Sequence, residues 1–83
     1  MKKITLDARD MEHPKPLELA IDILKNLDDD SYFYMLHRKE PIPLIDLAKE
    51  QHFQILSHQD TKKEWHILIA KNNSFDLNEY LSV

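Results

Sequence analysis

The sequence predicts a two-layer α/β sandwich of order β-α-β-α-β-β, with two helices on one face of a four-stranded mixed sheet. Three observations carry this expectation. Short runs rich in strand formers alternate with segments whose apolar residues recur at helical spacing. Two matching segments, Pro14-Lys15-Pro16-Leu17 and Pro41-Ile42-Pro43-Leu44, stand 27 residues apart, each where a strand gives way to a helix. The last two strand-like runs are joined by a short polar stretch that reads as a hairpin turn.

Taken in order, Ile4-Thr5-Leu6 forms a short first strand, ended by the polar Asp7-Ala8-Arg9-Asp10. Pro14 and Pro16 open a helix with Leu17, Ala20, Ile21, Leu24 and Leu27 at helical spacing, and Asp28-Asp29-Asp30-Ser31 stops it. Tyr32-Phe33-Tyr34-Met35-Leu36 is apolar on both faces, which suits a central strand. Pro41 and Pro43 open a second helix carrying Leu44, Leu47 and Ala48, with Ile45 beside them. Phe53–Ser57 and Trp65–Ile69 supply the last two strands. The repeated Pro-x-Pro-Leu reads as two helices needing the same opener rather than as duplication.

Between the last strands, Asp60-Thr61-Lys62-Lys63 allows two registers. A two-residue loop sets Asp60 opposite Lys63 and His58 opposite Trp65; a three-residue loop sets His58 opposite His66 but also Asp60 opposite Glu64, a like-charge pair. The first is expected, which argues against a two-histidine metal clip on the hairpin.

Helices on one face leave the other face of the sheet open. Residues 1–71 make the sandwich and 72–83 an apolar tail. Phe75, Leu77, Tyr80 and Leu81 are too many large apolar residues for a linker, so the expectation is a short helix capped by Ser74 that covers this face. A homodimer through the open face, or a loose tail, is the other way to arrange it.

Composition narrows the class. At 83 residues, 42% hydrophobic and 31% charged, the chain is one soluble globular domain with a modest core. It holds no cysteine, so thiolate catalysis, disulfides, cysteine-ligated zinc and iron–sulfur clusters are all excluded. It holds no glycine, so any position needing positive φ must be filled by another residue at some steric cost. Net charge is −4, against the dense cationic surface that sequence-independent nucleic-acid binding requires. Protonating the five histidines would move it to +1. No signal-peptide apolar region follows Met1-Lys2-Lys3 and no run approaches a membrane span, so a cytoplasmic setting without nucleic-acid or membrane partners is expected.

The stretch Leu6-Asp7-Ala8-Arg9-Asp10-Met11-Glu12-His13-Pro14-Lys15-Pro16 resembles the signature of the TusA/SirA-like sulfur-carrier family, Leu-Asp-x-Arg-Gly-Leu-x-Cys-Pro-x-Pro. Leu6, Asp7, Arg9, Pro14 and Pro16 match in register. Asp10 stands in place of glycine, Met11 of leucine and His13 of the sulfur-carrying cysteine. The chain is closer to a cysteine-lacking uncharacterised branch, domain of unknown function 2249. It resembles that branch again at Leu36-His37-Arg38-Lys39-Glu40-Pro41-Ile42-Pro43-Leu44, and the likeness covers roughly residues 4–70. The resemblance implies the same β-α-β-α-β-β sandwich. It implies no persulfide relay, because imidazole at His13 does not form a stable persulfide. Two family glycines are replaced by Asp10 and His52, residue types that tolerate left-handed backbone better than most.

In a parallel βαβ pair, ligands favour the carboxyl ends of the strands. That edge would gather Asp7, Arg9 and His13 from the first loop with His37, Arg38 and Glu40 from the second. Such a set suits an anion or carboxylate gripped by Arg9 or Arg38. The helix starts help less than usual, because Pro14, Pro16, Pro41 and Pro43 have no N–H to donate. Each residue also has an ordinary structural role: Asp7 with Arg9 as a loop ion pair, His13 as an exposed helix-start residue, His37-Arg38 as a polar strand end. The expected function is a non-catalytic module that binds a protein partner or small anionic ligand, with no cofactor. The alternative is a histidine-based metal- or haem-binding protein using His13 and His37, in redox or nitrogen-oxide metabolism as the family resemblance hints. His52, His58 and His66 are expected at a helix end, on the solvent side of the hairpin and on the sheet face.

Overall fold

A computed structural model describes residues 2–71 and 76–82. The order is β1 (Lys2–Asp7), α1 (Lys15–Lys25), β2 (Ser31–His37), α2 (Ile42–Glu50), β3 (Gln54–Gln59), β4 (Trp65–Ala70) and a 3-10 turn, Leu77–Tyr80. The sheet runs β1-β2-β4-β3, with β1 parallel to β2 and β4 antiparallel to both its neighbours. Both helices pack on one face, so the chain is the expected two-layer sandwich.

Alternation along each strand builds two cores. Phe33, Met35, Ile67 and Ile69 face the helices and meet Ala20, Leu24, Leu44, Ile45 and Ala48. Tyr32, Tyr34, Leu68 and Ala70 face the other way and meet Leu77. Burial on both faces explains why β2 reads as an unbroken apolar run. In α1 the expected Leu17, Ala20 and Leu24 pack on this core, joined by Ile23 in place of Ile21.

Both helices start alike. Pro14 and Pro41 occupy the cap positions, and Pro16 and Pro43 lie in the first turns. Their carbonyls accept from the Glu18 and Ile45 amides at 3.1 and 3.0 Å. The His13–Pro14 peptide is cis.

Three expectations are corrected. First, the β3–β4 hairpin takes the three-residue loop, with His58 opposite His66 and Gln59 opposite Trp65. Asp60 N donates to Glu64 O at 2.9 Å, Lys63 N donates to Asp60 O at 3.0 Å, and Lys63 follows at φ 68°. This is a turn closed by a left-handed residue. The like charges do not oppose it, because each has another partner: Asp60 bonds His66 at 2.8 Å, and Glu64 bonds Arg9 at 3.3 Å. Secondly, positive φ occurs at His52 (φ 64°) and Lys63, not at Asp10. Thirdly, the tail turn is capped by Asp76, whose carboxylate accepts from Asn78 N at 3.0 Å. Ser74 and Phe75 lie outside the described residues. Leu77, Tyr80 and Leu81 do cover the face that the helices leave open.

Candidate functional site

At the carboxyl ends of β1 and β2, the loops leading into α1 and α2 enclose a cavity of about 630 Å³. The loops are drawn together by the Ala8 amide, which donates to Leu36 O at 2.8 Å and extends the β1–β2 pairing one residue past the strand. Each loop then turns into its helix through a local bond, Lys15 N to Glu12 O at 3.0 Å and Ile42 N to Glu40 O at 2.9 Å. Buried Met35, Leu44 and Pro16 form the inner wall, with Met11 and Leu17 beside them. Arg9, His13, His37, Arg38 and Glu40 line the same cavity, together with Asp10, Glu12 and Lys39. Of the six residues anticipated at this edge, Asp7 alone is outside the lining.

Their electrostatic roles differ. Arg9 is committed. Its Nε and Nη2 donate to the two Asp7 carboxylate oxygens at 2.8 and 2.7 Å, and its Nη1 reaches both Glu64 oxygens at 3.3 and 3.4 Å. The Arg9 side chain, followed by its backbone amide, holds the Asp7 carboxyl down to about 2, and Asp7 in turn raises the Arg9 guanidinium. A guanidinium clamped on both sides shapes the cavity wall.

Arg38 is less committed. It meets Asp10 at 3.2 Å through one nitrogen, and the Asp10 side chain is 94% exposed. Such a pair exchanges readily for another acid. Glu40 accepts from Ser57 Oγ at 3.0 Å, which ties the second loop to β3.

His37 is set in one protonation state. Its Nδ1 accepts from the Arg38 amide at 2.9 Å, so the ring proton sits on Nε2. Burial first, and Lys39 second, lower its pKa, which agrees with a neutral ring. A neutral imidazole so held offers an N–H rather than a lone pair.

That arrangement disfavours the metal reading. Among the described residues no group of three or more His, Cys, Asp or Glu side chains is placed to hold a metal ion. His58 and His66, although paired across the hairpin, form no clip, because both His66 ring nitrogens already face Tyr34 and Asp60.

Sequence reasoning missed Met35 and Leu44 as cavity walls and Glu64 and Ser57 as supports. The wall was findable, since Met35 precedes the strand end by two residues and points to the helix side. The supports were not, because they arrive from the hairpin through space.

A two-layer sandwich of the TusA/SirA type, with a loop-lined edge and no cysteine, is the class that fold and edge define. The chain belongs to the family described as "Uncharacterized conserved protein (DUF2249)", whose model matches residues 5–71. Comparison with curated proteins and with solved structures finds no significant match. No helix among the described residues is long and apolar enough to cross a membrane.

Proposed function

We propose that this domain is a non-catalytic binding module whose cavity between the β1–α1 and β2–α2 loops receives a small anionic ligand or an acidic group of a protein partner. The observation that carries the reading is the pairing of an apolar inner wall with two donors at its rim, the lightly paired Arg38 and the fixed Nε2–H of His37. Apolar walls with a few oriented polar groups are the usual make-up of a ligand site. Arg9 and Asp7 support the wall, and Arg38 takes the role that the sequence left open between the two arginines. Sulfur relay is outside this reading, since the chain has no cysteine to carry a persulfide.

The test is an NMR titration of the labelled protein with benzoate and phenyl phosphate, each an anion on an apolar body. Shifts concentrated at Met35, His37, Arg38 and Lys39 are expected, and Arg38→Gln should weaken them about tenfold or more while the remaining spectrum stays unchanged. Shifts absent from the cavity, or equal in Arg38→Gln, overturn the ligand reading.

A further inference from the structure

On the sheet face away from the cavity, four polar groups form one hydrogen-bonded line. Ser82 N donates to Tyr34 Oη at 3.0 Å, Tyr34 Oη meets His66 Nδ1 at 2.6 Å, and His66 Nε2 meets Asp60 Oδ2 at 2.8 Å. Tyr34 and His66 are 2% and 6% exposed. The line therefore joins the end of the tail strap, residues 76–82, to the β3–β4 turn through the core.

Its direction follows from its two ends. Asp60 Oδ1 accepts from the Lys62 and Glu64 amides at 2.9 and 3.0 Å, and the His66 contact lowers the carboxyl's pKa, so Asp60 is an acceptor. A neutral His66 must then carry its proton on Nε2, because a ring lone pair facing a carboxylate would be repelled. Nδ1 is left as an acceptor, and Tyr34 must donate to it. The phenol oxygen is thereby free to accept from Ser82. Tyr34 and His66 each give one proton contact and receive one, while Ser82 only gives and Asp60 only receives.

A second proton on His66 breaks this pattern. Nδ1–H and the phenol O–H would both occupy the 2.6 Å gap, so the phenol proton must turn away. Among the described residues no other acceptor stands at Tyr34 Oη, and the remaining direction holds the Ser82 N–H. Two hydrogens then face each other across a part-buried contact, which is relieved by lifting the strap end. His66 itself stays in the sheet, because its Nε2–H keeps the ionised Asp60.

We propose that the strap is a proton-gated latch: the neutral Nε2–H form of His66 closes it through Tyr34 onto Ser82, and protonation of His66 opens it. The groups facing the gate are Asp60 from the turn, His58 from β3 with its ring centroid 6.4 Å away, Tyr34 from β2, and Lys3 from β1, whose Nζ lies 4.3 Å from the Tyr34 ring centre. Opening frees the end of the segment that covers Tyr32 and Leu68, which are 5% and 0% exposed in the closed form.

The test needs only the unmodified chain. Ring nitrogen shifts of His66 report its tautomer and titration, and hydrogen exchange of the Ser82 amide, corrected for intrinsic rate, reports the latch between about pH 8 and about pH 5. The expected result is an Nε2–H tautomer at the upper pH and Ser82 protection that falls about tenfold in step with the His66 titration. Tyr34→Phe should leave Ser82 unprotected at both pH values while His66 still titrates. His58→Gln should keep the coupling. An Nδ1–H tautomer in the neutral ring, or Ser82 protection unchanged while His66 titrates, overturns the proposal.

Discussion

Leu77 anchors the strap and its replacement by alanine measures how far the strap belongs to the folded core. The side chain is 2% exposed and packs among Tyr32, Tyr34, Leu68 and Ala70. Removing it loses about 2 kcal/mol of transfer free energy, plus a penalty for whatever space stays unfilled. The seven-residue strap 76–82 lies on the outside of the sheet and can settle inward, so the total falls near the low end of core leucine losses, about 2–3 kcal/mol. In a small domain with a urea dependence of about 1 kcal/mol per molar, the unfolding midpoint drops by about 2–3 M. The assay is urea unfolding followed by Trp65 fluorescence, since Trp65 packs against the helix-side core, on the opposite face from Leu77. Ile42→Ala serves as the control, its side chain being 49% exposed, with a change expected within about 0.5 kcal/mol. If Leu77→Ala moves the Trp65 transition no further than Ile42→Ala does, the strap docks independently and burial of Leu77 does not stabilise the sandwich as a unit.

Three further outcomes follow from the loops. In Arg9→Gln the Asp7 carboxyl should rise from about 2 toward its ordinary 3.8, as read by carboxyl carbon shifts; a value still near 2 would assign the depression to another cause. Because the folded-state value is lowered, the stabilising contribution of the pair is complete at neutral pH and fades as pH falls from about 3.8 through about 2, so wild type and Arg9→Gln should converge in urea stability at the acid end of that window. Lys63→Gly should raise stability by about 1 kcal/mol, because φ 68° there costs a residue with a Cβ but not glycine, and an unchanged or lower urea midpoint would mean the left-handed turn holds no strain.

The strand and helix order was legible because each element declares itself locally. β2 shows apolar residues on both faces, and the two Pro-x-Pro-Leu segments mark both helix starts. The convergence of the two loops at one edge follows from a parallel β1–β2 pair, so His13, His37, Arg38 and Glu40 were open to inspection from the order alone. The hairpin register was not. The clash between Asp60 and Glu64 is real for two isolated strands, and it disappears because Arg9, 55 residues away in sequence, meets Glu64. The same contact holds Arg9 between Asp7 and Glu64, so the hairpin register and the pairing of this arginine share a cause. Placing a glycine-like turn at Asp10 failed for a related reason: family spacing indicates where glycine stands in relatives, whereas φ at this position is set by how the loop returns to α1.

Local chemistry in the sequence was enough to settle the elements, the exclusion of cysteine chemistry and the two-faced burial of the central strand, since propensity, periodicity and residue type act over a few neighbours. Three outcomes needed the assembled molecule: which arginine is paired on both sides, which hairpin register wins, and how Asp60, His66, Tyr34 and Ser82 come into line. Each depends on whether a charge or a hydrogen-bonding group finds a partner from a distant segment, and such partners are brought within reach only when the sheet and its strap pack.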